Sequence, residues 1–521
     1  MPTLGERLRT NLQHAKRIGF WLGIGFFLLI LALSDLQPGN PLVTRMAAVA
    51  VLMATWWITD AIPLAATALL PLVLFPLLGI LTGKETAPIY FNSTIFLFIG
   101  GFLIALAMER WDLHKRIALN IIKIIGGGPS RLVLSFMLAS AFLSMWISNT
   151  ATAIMMLAIG MAIVKQQEAI FGKEKTKNLT LALLLGIAYG ASVGGIATLV
   201  GTPPNLSLQR IFEITFPQAE PLSFGQWMLF GVPVSVTMLT IIWLLLTRVF
   251  FKNPSDLRVS PEVIHNEHKA LGVMKFEEKV VAIVFALTAI LWVFRKDLVL
   301  GGFTVPGWSN LVPTANFLDD GTVAIAMALC LFLFPSKSSV SPHRAVLDVD
   351  VFKKLPWHIV LLFGGGFALA KGFGVSGLST YVGSGFSGMG DLPPLLVILA
   401  VCLTITFLTE LTSNTATTEM ILPILASVAV AMKVHPLLLM VPATVSASCA
   451  FMMPVATPPN AIVFGSGRIE IGQMVRVGLV INLIGVVVVT ILFYTIGRAV
   501  FGIESGVMPE WATMPALNPE H

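Results

Sequence analysis

The pentapeptide Ser148-Asn149-Thr150-Ala151-Thr152 returns as Ser413-Asn414-Thr415-Ala416-Thr417, 265 positions later (413 against 148). Two further motifs return in the same order. Gly100-Gly101-Phe102 reappears as Gly365-Gly366-Phe367 at the same offset of 265, and Thr202-Pro203-Pro204-Asn205 as Thr457-Pro458-Pro459-Asn460 at an offset of 255. Three ordered motifs at nearly constant spacing mark the chain as an internal duplication. Each Ser-Asn-Thr falls in the middle of an apolar stretch, 130–165 and 393–432, and each Thr-Pro-Pro-Asn interrupts another, 179–214 and 436–465.

Simpler apolar segments surround these four, at 18–35, 42–58, 61–81, 90–108, 226–250, 279–294, 318–334, 357–375 and 472–500. Each has about the 20 residues a helix needs to cross a bilayer. Composition agrees: of 521 residues 56% are hydrophobic and only 12% charged, with mean hydropathy +0.86. A soluble domain carries about 25% charged residues, so the solvent for most of this chain is lipid. The net charge of +6 and pI near 9.2 do not indicate a nucleic-acid partner, because the basic residues cluster between spans. The apolar run Ile18 to Leu33 follows a basic N-terminus, but Ser34-Asp35-Leu36-Gln37-Pro38 is a poor cleavage site. The run reads as a retained first membrane helix rather than a signal peptide.

The charge clusters give a topology. With 130–165 and 393–432 as re-entrant hairpins there are eleven spans, and roughly 25 of the 33 basic residues face the cytoplasm with the N-terminus inside. The inside clusters are Arg110 to Arg131, Lys165 to Lys177, Arg248 to Lys279 and Lys337 to Lys354, and the tail after Glu504 lies outside. Counting the hairpins as full crossings adds two spans, an alternative the charges leave open. One leading span and an odd five per half make the two repeats opposite in orientation, and inverted repeats meet at a midplane site built from broken helices.

Polar groups at that depth are tolerated only where protein or a water-filled cavity satisfies them. Ser and Thr hydroxyls and Asn amides can ligate a hard cation through oxygen and donate to a carboxylate. The paired prolines of Thr-Pro-Pro-Asn remove backbone donors and unwind the preceding turn, freeing the carbonyls of Gly201 and Ala456. Ser144 and Thr409 each lie four residues before the motif serine, on its helical face. No Arg or Lys lies in the motifs, so a bound dianion has to be neutralised by cations and helix ends.

The duplicated motifs, with the run from Ala447 to Val463 (Ala-Ser-Cys-Ala-Phe-Met-Met-Pro-Val-Ala-Thr-Pro-Pro-Asn-Ala-Ile-Val), resemble the divalent anion:sodium symporter family over roughly residues 40 to 500. The resemblance implies a homodimer with scaffold and moving transport domains, an elevator motion, and carriage of succinate, malate, fumarate, citrate or sulfate with several sodium ions. It implies one sodium site of Ser144, Ser148, Asn149 and Gly201, and a second of Thr409, Ser413, Asn414 and Ala456. Substrate would meet Asn149, Thr150, Asn414 and Thr415, with Thr202, Thr457 and Pro458 closing the pocket.

The expected fold is thus an all-α polytopic protein of the inner (plasma) membrane. Its parts are a cytoplasmic N-terminus 1–17, scaffold helices 18–89, a fourth span and interfacial connecting arm 90–129, a first transport half 130–225, and linking and scaffold helices 226–356. A ninth span and connector 357–392, a second transport half 393–471, a last span 472–503 and a periplasmic tail 504–521 follow. Sulfate, citrate and exchange remain open within this fold. An anion channel needs a continuous pore, and a membrane-embedded enzyme needs a nucleophile–base pair or metal cluster, neither of which the sequence shows. Glu410 and Glu419 flank the second motif and can carry protons, but Met145 and Ile154 take the matching places in the first half. Asp60 and Asp319 read as helix caps, Gly364-Gly365-Gly366 as close helix packing, Gly126-Gly127-Gly128 as packing or a loop, and Cys330, Cys402 and Cys449 as small core hydrophobes.

Overall fold

A computed structural model describes residues 4–252, 262–300, 303–337, 345–386, 388, 392–504 and 506–513. Arg258, Arg344 and the tail residues 514–521, which entered the charge reading, lie outside the described residues. The fold is helical apart from a short antiparallel ribbon, Leu298–Leu300 with Phe303–Val305. Nine helices among the described residues are long and apolar enough to cross a membrane, among them Pro41–Thr59, Lys173–Ile196, Trp357–Ser376 and Ile471–Val500. Phe276–Val293 is 18 residues long but begins with Glu277, Glu278 and Lys279, and Asp320–Leu333 has only 14 residues.

Both Ser-Asn-Thr stretches fold as helix–turn–helix hairpins. Pro129–Ser144 turns into Asn149–Phe171, and Pro394–Thr409 into Asn414–Ala431. The ends of each hairpin return to one face. At the first, Trp243 Nε1 donates to the Ser130 carbonyl at 2.9 Å, and Arg468 forks onto Glu168 at 2.5 and 3.1 Å. At the second, Pro393, Pro394, Ala431 and Met432 line one cavity with Arg498 and Glu504. Long-range polar contacts sort the same way. Arg116–Glu278 and Arg110–Asp348 join loops read as lying on one side, and Lys296–Glu220 and Asn40–Ser376 join loops on the other.

Glycine sets the crossings. Lys173–Ile196 is buried at every residue from Leu179 onward, and its Gly186, Gly190 and Gly194 recur every four residues along one stripe. A Cβ on Gly190 would lie 2.8 Å from the Met137 carbonyl oxygen, and one on Gly194 would overlap the Ala141 backbone. The stripe therefore lets the first arm of the first hairpin pack backbone to backbone, the small-residue device of membrane helices. The triple Gly364-Gly365-Gly366 seats Tyr90, Ala68 and Glu419 in turn, as expected of a packing motif, and its counterpart Gly100 seats Ala324. Gly126–Gly128 is a loop, with Gly127 at φ +137°.

One reading needs correction. Asp319 caps a helix start, accepting from the Thr322 amide at 2.6 Å. Asp60 instead ends Pro41–Thr59 at φ 47° and pairs with Lys16, so it is a C-terminal stop. Its neighbour Pro63 prevents the helix that an N-cap there would need from beginning at once.

Candidate functional site

Each hairpin tip presents the same constellation. In the first half the buried Ser144 hydroxyl donates to Asn149 Oδ1, and in the second the buried Thr409 hydroxyl sits 2.8 Å from Asn414 Oδ1. Ser148 and Ser413 are the N-caps of the arms that follow, with ψ near 141° and 132°, which leaves the arm N-termini open at the tip. Ser148 uses its oxygen to accept from the Ala151 amide at 3.1 Å, whereas Ser413 makes no such cap bond.

The broken helices complete the constellation. Lys173–Ile196 stops, and Pro203–Thr215 resumes after Gly201-Thr202. Leu437–Ala447 stops likewise, and Pro458–Phe464 resumes after Ala456-Thr457. Proline at the first helical turn explains the restart, because its missing N–H is unsatisfied there anyway. Among the described residues neither the Gly201 nor the Ala456 carbonyl accepts a hydrogen bond.

The motif asparagines hold these breaks. Asn205 Nδ2 donates to the Thr198 and Gly195 carbonyls at 2.7 and 3.3 Å, and Asn460 Nδ2 to those of Met453 and Ala450 at 3.1 Å each. Thr198 and Met453, like Gly195 and Ala450, are 255 positions apart. The fourth residue of Thr-Pro-Pro-Asn is therefore a stitch, legible as a motif but not in its role.

In the first half, break and tip meet. A Cβ on Gly195 would lie 2.9 Å from both Asn149 Oδ1 and the Gly201 carbonyl oxygen, and one on Gly201 would lie 3.0 Å from Thr198 Oγ1. Thr198 in turn donates to the Met145 carbonyl at 2.5 Å. Ser144, Asn149 and Gly201 thus surround one small space with Gly195 and Thr198, which the sequence reading missed, while Ser148 caps the following arm. In the second half Thr409 and Asn414 meet, and Thr409 also reaches the Ala447 carbonyl at 2.9 Å. Ala456 is buried in the break, where its amide donates to Met453 at 3.2 Å. Thr415, Thr202 and Thr457 are buried, Asn149, Thr150 and Asn414 half-buried, and Pro458 exposed. The Thr457 hydroxyl has no partner.

The second break carries an addition. Glu410, in the Met145 position, accepts the amides of Phe451 and Met452 on Oε1 at 2.7 and 2.9 Å and that of Met453 on Oε2 at 2.9 Å. Asn482 Nδ2 donates to Oε1 at 2.7 Å, and Tyr189 holds the Phe451 carbonyl at 2.9 Å. Four donors on one carboxylate make Glu410 a clamp on the unwound segment.

The halves interlock. Pro203–Thr215 packs on Asn414–Ala431, and Pro458–Phe464 packs on Asn149–Phe171. Each resumed helix therefore leans on the hairpin of the other half. A cavity of about 780 Å³ lined by Glu213, Arg295, Lys296 and Asp319 includes none of the expected site residues. No cluster of three His, Cys, Asp or Glu residues able to hold a metal occurs among the described residues.

Comparison with known proteins follows this geometry. The chain is 44% identical over 490 residues to the sodium-dependent dicarboxylate transporter SdcS of Staphylococcus saprophyticus, covering 92% of each. It is equally identical over 494 residues to the protein of that name from Staphylococcus aureus MRSA252, covering 94% of this chain and 92% of that one. Two solved transporters share the fold at low identity. They are MtrF of Neisseria gonorrhoeae (TM-score 0.55, 13% identity, 91% of this chain and 98% of that one) and YdaH of Alcanivorax borkumensis (0.56, 14%, 92% and 98%). The family described as the sodium:sulfate symporter transmembrane region matches residues 14–503. The chain is a multi-pass membrane transporter of the sodium:sulfate symporter family.

Proposed function

We propose that this protein is a secondary active symporter that moves C4-dicarboxylates (succinate, malate, fumarate) across the plasma membrane with sodium. The observation that carries the reading is the pair of hairpin tips, each with a buried hydroxyl on an Asn amide oxygen, the first beside the freed Gly201 carbonyl, and no Arg or Lys in the motifs. Such oxygen donors suit a hard monovalent cation. Sodium in the half-sites, with the N-termini of Asn149–Phe171 and Asn414–Ala431, then supplies the positive potential that a dianion requires. Substrate carboxylates meet Asn149, Thr150, Asn414 and Thr415, while Thr202, Thr457 and Pro458 border them. The name of the relatives, sodium-dependent dicarboxylate transporter, supports this cargo.

Coupling follows from charge. The site backs onto the Glu410 carboxylate, so an incoming dianion meets like charge until sodium binds. The moving unit in this reading is residues 130–225 with 393–471, sliding as an elevator against a scaffold of the segments before 90 and around 280–335 in a homodimer. The basic clusters favour a cytoplasmic N-terminus and a C-terminus on the outside.

The test is labelled succinate uptake into proteoliposomes under inward sodium, potassium or proton gradients, with Asn149→Ala and Asn414→Ala as controls. Sodium-dependent uptake, lost at least tenfold in both variants, is expected. Uptake of sulfate or citrate but not succinate would move the substrate assignment, and equal uptake without sodium would overturn the coupling.

A further inference from the structure

Glu419 is the acidic residue of the second hairpin that the clamp and the sodium half-sites leave unused. It lies on the arm Asn414–Ala431 and is fully buried. Its Oε1 accepts one hydrogen bond, from Ser207 Oγ at 2.5 Å, and its Oε2 has no partner among the described residues. A Cβ on Gly366 would overlap the carboxyl, so the glycine is what makes room for it. The group is therefore enclosed by three elements: its own arm, the resumed helix Pro203–Thr215 of the other half, and Trp357–Ser376.

Neighbouring charges do not compensate it. Pro203–Thr215 carries Arg210 and Glu213, which pair with each other at 3.0 Å. Trp357–Ser376 carries His358 and Lys371, Leu378–Ser384 carries Tyr381, and Pro41–Thr59 carries Arg45, which holds the Leu78 carbonyl at 2.8 Å. Leu437–Ala447 carries no titratable residue. Among the described residues Ser207 makes the one hydrogen bond to the Glu419 carboxyl. A naked carboxylate at this place would be an uncompensated buried charge, which proteins do not sustain. The orphan Oε2 is the oxygen left free to carry a proton. The repeat does not demand this residue, since its counterpart Ile154 is largely exposed.

We propose that Glu419 is a proton-binding site coupled to the transport cycle, so that one proton crosses with sodium and substrate. Water on one side protonates Oε2, forming the O–H bond; after the arm has moved, the bond breaks and the proton returns to water on the other side. Access requires Asn414–Ala431, which moves together with Pro203–Thr215, to part from Trp357–Ser376, which ties occupancy to the movement.

The inference rests on the symporter reading for its transport arm only. Infrared difference spectra of the purified full-length protein across pH are expected to show a protonated-carboxyl carbonyl band that titrates and is lost in Glu419→Gln. Sodium-driven succinate uptake at about pH 7.5 to 9, above the ordinary carboxyl range, is expected to acidify the vesicle lumen and to fall up to about tenfold per pH unit, the limit for a single required proton. Glu419→Gln, which keeps the acceptor for Ser207, is expected to transport without acidification and with a flat pH profile. Should that variant fold poorly, Ser207→Ala is expected to shift the same band. Identical acidification and pH profile in Glu419→Gln, or no Glu419-dependent band at any pH, would overturn the proposal. If succinate does not move with sodium in the unaltered protein, the transport reading fails alone, and the band still decides whether Glu419 takes a proton.

Discussion

Replacing Glu410 with Gln tests whether the second sodium half-site is built on a clamped loop. Oε1 receives Phe451 N, Met452 N and Asn482 Nδ2, and Oε2 receives Met453 N. A glutamine can keep the three donors of Oε1 on its carbonyl, but its NH₂ then faces the Met453 amide, donor against donor. Leaving that buried N–H unmet costs about 1–3 kcal/mol, and the remaining bonds fall from charge-assisted strength, about 1.5–3 kcal/mol each, to about 0.5–1.5. The combined loss is roughly 4–7 kcal/mol, and each 1.4 kcal/mol is about a factor of ten in an equilibrium constant. The ordered loop, and sodium affinity with it, should weaken on the order of a hundredfold or more. The readout is the melting temperature of the solubilised protein across a sodium titration, with half-saturating sodium for uptake measured in parallel. Asn482→Ala, which removes one donor and leaves three, should shift both quantities in the same direction by far less. A Glu410→Gln protein with unchanged melting temperature and unchanged sodium dependence would refute the clamp.

Three further outcomes follow from packing and charge. Gly194→Ala should destabilise the protein by about 1–3 kcal/mol, the usual range for overpacking, because its Cβ would overlap the Ala141 backbone. Gly374→Ala, with open space around it, should instead be neutral or stabilising by up to about 1 kcal/mol; thermal melts of the two decide whether the glycine stripe sets the crossing. The fork of Arg468 on Glu168 ties the loop after the second break to the end of the first hairpin. A double-mutant cycle with Arg468→Ala and Glu168→Ala should give a coupling of about 1 kcal/mol or less, given its partial exposure, and zero coupling would detach the two halves at that face. Burial holds His435, in the loop before Leu437–Ala447, down at about 4. An unfolded histidine near 6.5 binds more protons between those values, so stability falls as pH drops from about 6.5 towards 4. His435→Gln should remove that slope from the melting curve, and should leave the transport profile above pH 7 unchanged.

Much of the architecture was legible because membrane insertion writes itself into composition and period. The duplicated Ser-Asn-Thr and Thr-Pro-Pro-Asn predicted two hairpins and two breaks, and Pro129–Ser144 with Asn149–Phe171 and Pro203–Thr215 after Gly201 answer them. The ten-position difference between the offsets of 265 and 255 is taken up between the motifs. The first arm, Asn149–Phe171, has 23 residues against 18 in Asn414–Ala431, and Lys173–Ile196 has 24 against 11 in Leu437–Ala447. What the pattern could not show was which partner each polar group would find. Asn205 and Asn460 were legible as the fourth residue of a repeated motif, but not in what they hold. Their acceptors, ten and seven residues back, are backbone carbonyls and carry no signature in residue type. Gly195 and Thr198 escaped for the same reason: only proximity to Asn149 and Met145 gives them meaning. Gly186, Gly190 and Gly194 were readable as an every-fourth-residue stripe and were not read.

The two acids beside the second motif show where symmetry ends and mechanism begins. A duplicated chain can build two equivalent cation half-sites from equivalent residues, but equivalent sites alone give no reason for one half to differ. Glu410 and Glu419 replace Met145 and Ile154, so both ionisable additions fall in the same hairpin. Their environments then divide them. Glu410 meets four donors across the second break, which makes it part of the scaffold for a cation. Glu419 meets one donor and an apolar enclosure, and cannot hold a charge there without a cation or proton. Exchanging the two fates is a direct check on this division. In Ile154→Glu a carboxyl would stand on an exposed face without Ser207 or Gly366 around it, and should not reproduce the pH dependence assigned to Glu419. If uptake of an Ile154→Glu, Glu419→Gln protein kept the original pH profile, position within the fold would be irrelevant, and the argument from enclosure would be wrong.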